Sequence, residues 1–190
     1  MNLPRLSLLL FPMLVCVSCR STTPPPVAPR PPAPPIPQAN QQQFEDKSGG
    51  ISFKYPAGWT SSNPKETQFK FTLPNAKPGP VEMTLDVPKL PWHPPGWIPI
   101  DQVRSGYIDD AKKKMPDAQV TNLPDAVIPD AKDHRVKLTG TVDGKPAVNE
   151  AVLIVHSDKV YVLSIEPELA AYPSAQKALD LATQSLKWTQ

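Results

Sequence analysis

Beyond position 19 the chain has no cysteine; its two are Cys16 and Cys19. The remainder therefore has no disulfide framework, no thiolate nucleophile and no cysteine-based zinc site. A domain of that kind is safe in an oxidising compartment. Glycine is scarce, with eight in 190 residues, so no extended phosphate-cradling loop exists. The three histidines, His93, His134 and His156, form no His-Glu-x-x-His or other paired spacing. No Gly-x-Ser-x-Gly elbow is present, and no nucleophile, base and orienting group can be named together. No catalytic residue, metal ligand or cofactor is assigned, and the chain reads as a non-enzyme.

Basic excess is missing too. The formal net charge is +2, but Arg5, Arg20 and Arg30 all precede the first acidic residue, Glu45. Setting those three of the twenty basic residues aside leaves seventeen against eighteen acidic ones. A surface that balanced lacks the cationic patch that nucleic-acid binding needs.

What is present falls into three parts: residues 1–18, 19–43 and 44–190. The first has one positive side chain, Arg5, and then an apolar run over residues 6–17. At 1.5 Å per residue that run reaches about 18 Å, well short of the roughly 30 Å of a bilayer core. It has the length of a signal-peptide core, with small Ser18 before Cys19. Val17-Ser18-Cys19 resembles the lipobox of bacterial lipoproteins, although Cys16 stands where leucine is usual. The resemblance implies that Cys19 becomes the acylated N-terminus, carrying palmitate-type chains. The alternative is plain secretion with cleavage near Ser18. Acylation with more than one chain is enough for stable anchoring. The expected location is the bacterial cell envelope: the outer membrane facing the periplasm, or the outer face of the cytoplasmic membrane.

Nine of the fourteen residues from 24 to 37 are proline. Such a run has few backbone donors and a fixed φ, so it adopts polyproline II at about 3.1 Å per residue. It reads as a stiff tether of roughly 40 Å. PxxP spacings also occur in it, which would suit a proline-reading partner. The glutamines at 41–43 read as disordered.

From residue 44 the period of apolar residues identifies elements. Residues 51–55 alternate Ile51, Phe53 and Tyr55 with polar positions, and Pro56-Ala57-Gly58 makes a turn before Trp59. Residues 68–73 and 81–87 alternate likewise and read as antiparallel neighbours. Over residues 101–115 Val103, Tyr107, Ala111 and Met115 form a helical stripe, with Asp101 at the N-cap or in the first turn. Lys112, Lys113 and Lys114 fall in its last turn, where they complement the helix dipole. About four strands follow. Asp143-Gly144 is a hairpin turn in which both residues accept positive φ. The runs 151–155 and 160–165 are apolar on both faces, which places that hairpin centrally. A second helix over 174–186 carries Ala175, Leu179, Ala182 and Leu186 on one face. The fold class is α+β: a mainly antiparallel sheet of about six to seven strands flanked by helices.

The segment from Gly50 to Trp59, with Tyr55, Pro56 and Trp59 in a Pro-x-x-Trp turn, resembles the opening strand of the PsbP-like superfamily. The closing hairpin at 159–166 and Leu186-Lys187-Trp188 resemble its end. That group includes extrinsic PsbP subunits of photosystem II and small bacterial lipoproteins. The resemblance implies an α/β/α sandwich and a binding or assembly module, and it carries no active site.

Residues 90–100, LPWHPPGWIPI, set Trp92, His93 and Trp97 among four prolines. Proline there excludes a central strand. Tryptophans on a stiff loop either cover one end of the sheet or serve as anchors for a partner. Trp92, His93 and Trp97 are the candidate partner-binding residues. The reading is a lipid-anchored envelope protein with a non-enzymatic binding or assembly domain. Its partners would be the membrane, through Cys19, and an envelope protein or cell-wall component. The alternative is an envelope hydrolase or small-ligand carrier with a pocket near the Trp92–Trp97 loop.

Overall fold

A computed structural model describes residues 40–76, 79–90, 94 and 96–189. The segment read as a signal peptide, Cys19 and the proline run fall on residues 1–39, outside the described residues. Among the described residues no helix is long and apolar enough to cross a membrane.

The strands are β1 (Gln41–Asp46), β2 (Ile51–Pro56), β3 (Thr60–Lys65), β4 (Gln68–Leu73) and β5 (Val81–Asp86). After helix α1 (Ile100–Lys114) come β6 (Gln119–Leu123), β7 (Lys132–Val142), β8 (Lys145–His156) and β9 (Lys159–Ile165). A 3-10 turn, Leu169–Ala171, leads into α2 (Tyr172–Gln184), and β10 (Lys187–Trp188) closes the domain. Seven strands form one antiparallel sheet in the order β3-β4-β5-β9-β8-β7-β6, and β1-β2-β10 form a second, smaller sheet.

The expected hairpin of β8 and β9 lies in the middle of the large sheet, because its side chains are apolar on both faces. Ala151 and Leu153 join Val136, Leu138, Ala111 and Met115 under α1. Val152 and Ile154 face the other way, into a larger core with Met83, Leu85, Leu163 and the α2 residues Ala175, Leu179 and Ala182. The helices thus cover opposite faces. The second face is shared with the small sheet, whose Ile51, Phe53 and Tyr55 complete the larger core. Phe44, Phe53, Tyr55 and Phe71 meet there with ring centroids 5.0 to 5.3 Å apart, a spacing suited to tilted and edge-to-face contact.

Turn chemistry sets the hairpins. Asp143 and Gly144 both have positive φ, at 51° and 75°, as a two-residue primed turn requires. Gly140 on β7 is a close-approach site: a Cβ there would lie 2.7 Å from the Met115 side chain. Its absence lets the end of α1 settle on the sheet.

Three expectations are corrected. Five strands, not three, precede α1. The added ones are β1 and β3, with sequences QQQFED and TSSNPK. Both lie at a sheet edge and hold by backbone pairing, so neither carries an apolar alternation. The glutamines taken as disordered belong to β1: Gln41, Gln42 and Gln43 pair with Pro56, Tyr55 and Lys54, so pairing begins three residues before position 44. The helices each start earlier than read, α1 by one residue and α2 by two. Asp101 lies in the first turn of α1, where it pairs with Arg104 at 3.2 Å, and Pro99 occupies the cap position.

Candidate functional site

Of the loop residues singled out above, Trp92 and His93 lie outside the described residues. Trp97 is described, and 68% of it is exposed. Its neighbour Ile98 is buried against Val155 and Val160. The chain therefore turns one side chain into the sheet and the next into solvent. The Trp97 N–H donates to the Pro94 carbonyl at 3.2 Å, which closes a tight turn.

An open depression of about 430 Å³ lies beside this turn, lined by Gly96, Ile98, Asp130, Ala131, Lys132 and Val155 among others. Asp130 and Ala131 end the segment 124–131, which precedes β7. The buried Asp133 carboxylate accepts from the N–H of Ala126 at 2.5 Å and of Ile128 at 3.2 Å. Between those two anchors Val127 sits at φ 59° with 84% of its surface exposed. A β-branched residue rarely adopts that backbone. The segment is tied again at its end. His156 Nδ1 donates to the Asp130 carbonyl at 2.8 Å, and Trp188 Nε1 donates to the Pro129 carbonyl at 2.8 Å. The His156 and Trp188 rings stack at 3.8 Å and 5°. His156 is the last residue of β8, at the end of the β8-β9 hairpin.

Asp133 and His134 point to opposite faces, as neighbours on a strand must. His134 has Asp125 at 3.2 Å from Nδ1 and Asp101 at 3.3 Å from Nε2. Among the described residues no group of three or more His, Cys, Asp or Glu is placed to hold a metal ion.

A second concavity, of about 670 Å³, lies where α1 leaves the sheet uncovered. Its floor comes from β4, β5 and β9, and its wall is the Tyr107 and Lys114 side of α1. Thr84 and Ser164 share a hydrogen bond of 2.9 Å, Tyr107 donates to Asn149 at 2.7 Å, and Asn149 donates to Glu166 at 3.0 Å. Burial, with the Glu166 charge nearby, pushes the Tyr107 phenol well above its ordinary value. Burial also raises the Asp86 carboxyl, opposed by a hydrogen bond of 2.7 Å from Gln68. Lys70, Glu82, Asp86, Asp110, Lys114 and Glu166 also line this groove, which makes it polar and charged. Sequence reading missed it because its residues alternate with core positions on three separate strands.

Equally invisible in the sequence is a buried polar cluster under α2. Glu150 is fully buried. Arg135 Nε donates to its Oε1 at 2.6 Å, and Arg135 Nη2 reaches Asp180 at 2.5 Å. Tyr172 OH and Gln176 Nε2 donate to the other Glu150 oxygen. Glu150 stands just before an apolar run, where a lone carboxylate gives no hint of its partners' distance along the chain.

No protein-family model and no curated protein matches the chain. Solved structures do match. Cyanobacterial PsbP (CyanoP) from Synechocystis superimposes with a TM-score of 0.55 at 13% identity, covering 82% of this chain and 96% of that one. A protein from Bacteroides thetaiotaomicron gives 0.54 at 13% identity over 80% of this chain. This chain spans about half of that protein, 49% of its length. The domain therefore has a PsbP-like α+β fold. At this identity the likeness is one of fold, and fold alone does not assign function.

Proposed function

We propose that the chain is a lipid-anchored cell-envelope protein whose domain is a non-enzymatic binding or assembly module, with Trp97 as the anchor of its partner-binding face. The observation that carries this reading is the exposure of Trp97 beside the buried Ile98. A large aromatic next to a buried neighbour loses little freedom on binding and makes a strong contact. Asp130 and Ala131 line the same depression, and the Asp130 carbonyl is held by His156. The membrane attachment rests on the resemblance of Val17-Ser18-Cys19 to a lipobox.

A small-ligand carrier is the second reading. The depression of about 430 Å³ has the volume of many ligand sites, with Ile98 and Val155 as its apolar part.

A photoreactive side chain at position 97 in the intact cell envelope tests the binding face. The matched position is Leu169, also exposed. A discrete adduct at 97 and none at 169 is the expected result; equal or absent adducts sink the reading. Cys19→Ser tests the anchor separately, and it should abolish incorporation of a fatty-acid probe.

A further inference from the structure

We propose that His134 is a pH-dependent clasp between the start of α1 and the segment 124–131, closed when its ring is charged and open when it is neutral. The two carboxylates it meets come from different parts of the chain. Asp101, in the first turn of α1, lies 3.3 Å from Nε2, and Asp125, in the segment after β6, lies 3.2 Å from Nδ1. Each ring nitrogen therefore faces a carboxylate oxygen. The ring is only 24% exposed, so solvent screens these contacts less than it would at the open surface. A charged imidazole has two N–H donors and suits both carboxylates. A neutral one has a single donor, and its other nitrogen presents a lone pair to a carboxylate. That contact is repulsive, so one carboxylate must leave.

The groups around the ring decide which one. Side chains alternate along β7, so His134 shares its face with Lys132, Val136 and Leu138, and α1 packs on the last two. From α1 the charged neighbours are Asp101 and its own partner Arg104, 3.2 Å apart. From the segment it is Asp125. β8 places Leu153 opposite His134, and β6 contributes Asn122 on this face; neither is charged. Lys132 is the remaining cation on β7. Asp101 has Arg104 to hold it when the ring loses its proton, whereas among the described residues Asp125 has no second ion pair. The single N–H therefore stays with Asp125, and Asp101 is released.

The other ties of the segment hold in both states. Asp133 accepts from the Ala126 and Ile128 N–H groups, and His156 needs only one N–H to reach the Asp130 carbonyl. Opening the clasp thus frees the start of α1 from the segment without unfolding either. Gly96 and Ile98, just before α1, and Asp130 and Ala131, at the end of the segment, line one depression. The clasp joins the two stretches of chain that line it, whatever that depression binds. Imidazole changes charge between about pH 5 and 8, and aspartate takes up a proton only below about pH 4. The clasp is closed between those ranges and opens as pH rises.

The test uses the full chain in mild detergent with Cys16→Ser and Cys19→Ser, spin-labelled at Gln102→Cys on α1 and Val127→Cys in the segment, both exposed positions. The distance between the labels should be narrowly distributed at about pH 5.5 and longer or broader at about pH 8. Asp101→Asn keeps the shape of the side chain and can donate or accept, so its distribution should be the same at both pH values. His134→Gln should be equally indifferent. A parent distance that does not move with pH overturns the proposal, and so does a pH response that persists in Asp101→Asn. A double-mutant cycle between His134 and Asp101, read in urea, gives an independent answer. Its coupling should be present at about pH 5.5 and lost by about pH 8; equal coupling at both overturns the proposal. Titrations common to all four members of the cycle, Asp86 included, cancel.

Discussion

Asp133 holds Val127 in a left-handed backbone without touching its side chain. The carboxylate takes the N–H groups of the residues on either side, Ala126 and Ile128, and the φ of 59° between them follows. Strain in a non-glycine residue costs about 1–3 kcal/mol and persists only where the surroundings dictate it. Val127→Asn should therefore stabilise the domain by about 0.5–1 kcal/mol, since asparagine tolerates this region and the exposed valine packs on nothing. Asp133→Ala should cost about 1.5–3 kcal/mol, the loss expected for hydrogen bonds to a charged group. Urea melts of the two variants give both signs.

The two described tryptophans on turns should separate cleanly. Trp59 is 5% exposed in the larger core and Trp97 is 68% exposed. Trp59→Ala should cost about 3–5 kcal/mol, and Trp97→Ala should stay within about 0.5 kcal/mol of the parent. A large stability loss at Trp97, read by the same denaturant titration, would make the loop a cover for the core.

Glu150→Ala should be among the most damaging changes in the chain. It leaves the Arg135 guanidinium, largely buried, without one of its two carboxylates. Breaking a buried pair by removing one partner costs about 3–5 kcal/mol. The fall in denaturation midpoint, at constant slope, is the measurement. Replacing Arg135, Glu150 and Asp180 together by apolar residues of similar volume should cost less than Glu150→Ala alone.

Asp86 gives a dependence on pH. Its carboxyl is raised by burial in the folded protein, so the folded state holds its proton more tightly than the unfolded chain does. Stability from this group then falls as pH rises from about 4, the unfolded value, through the raised folded value. Asp86→Asn keeps an acceptor for Gln68 and removes the ionisation. The variant should be more stable than the parent at pH 7, with the gap closing near pH 3. A gap that is constant across that range would assign the effect to something other than ionisation.

What the sequence made legible follows from periodicity. Phe69, Phe71 and Leu73 on β4, or Ala175, Leu179 and Ala182 on α2, repeat at the spacing of their element because each must meet a core. The central place of β8 and β9 was legible for the same reason, as two faces of apolar residues need two covering layers. β1 and β3 were not, since an edge strand such as TSSNPK is held by its neighbour's backbone and needs no pattern of its own. Trp97 stood out because a tryptophan among prolines has few places to go. The Arg135–Glu150–Asp180 contact was hidden because its members lie on β7, β8 and α2. Only the register of Lys137 opposite Glu150 and the docking of α2 bring them together.

The small sheet carries a consequence for the order in which the molecule is completed. β2 lies between β1 and β10, and Ile51 is opposite Trp188. The Lys54 N–H finds its acceptor on Ser185, 131 residues further on. The β7-β8-β9 meander, by contrast, needs only neighbours in sequence and can assemble early. A chain released N-terminus first must therefore keep the Ile51 and Phe53 side chains waiting until residues 185–188 emerge. The small sheet and the larger core it covers close only after the β10 residues Lys187 and Trp188 have joined β2.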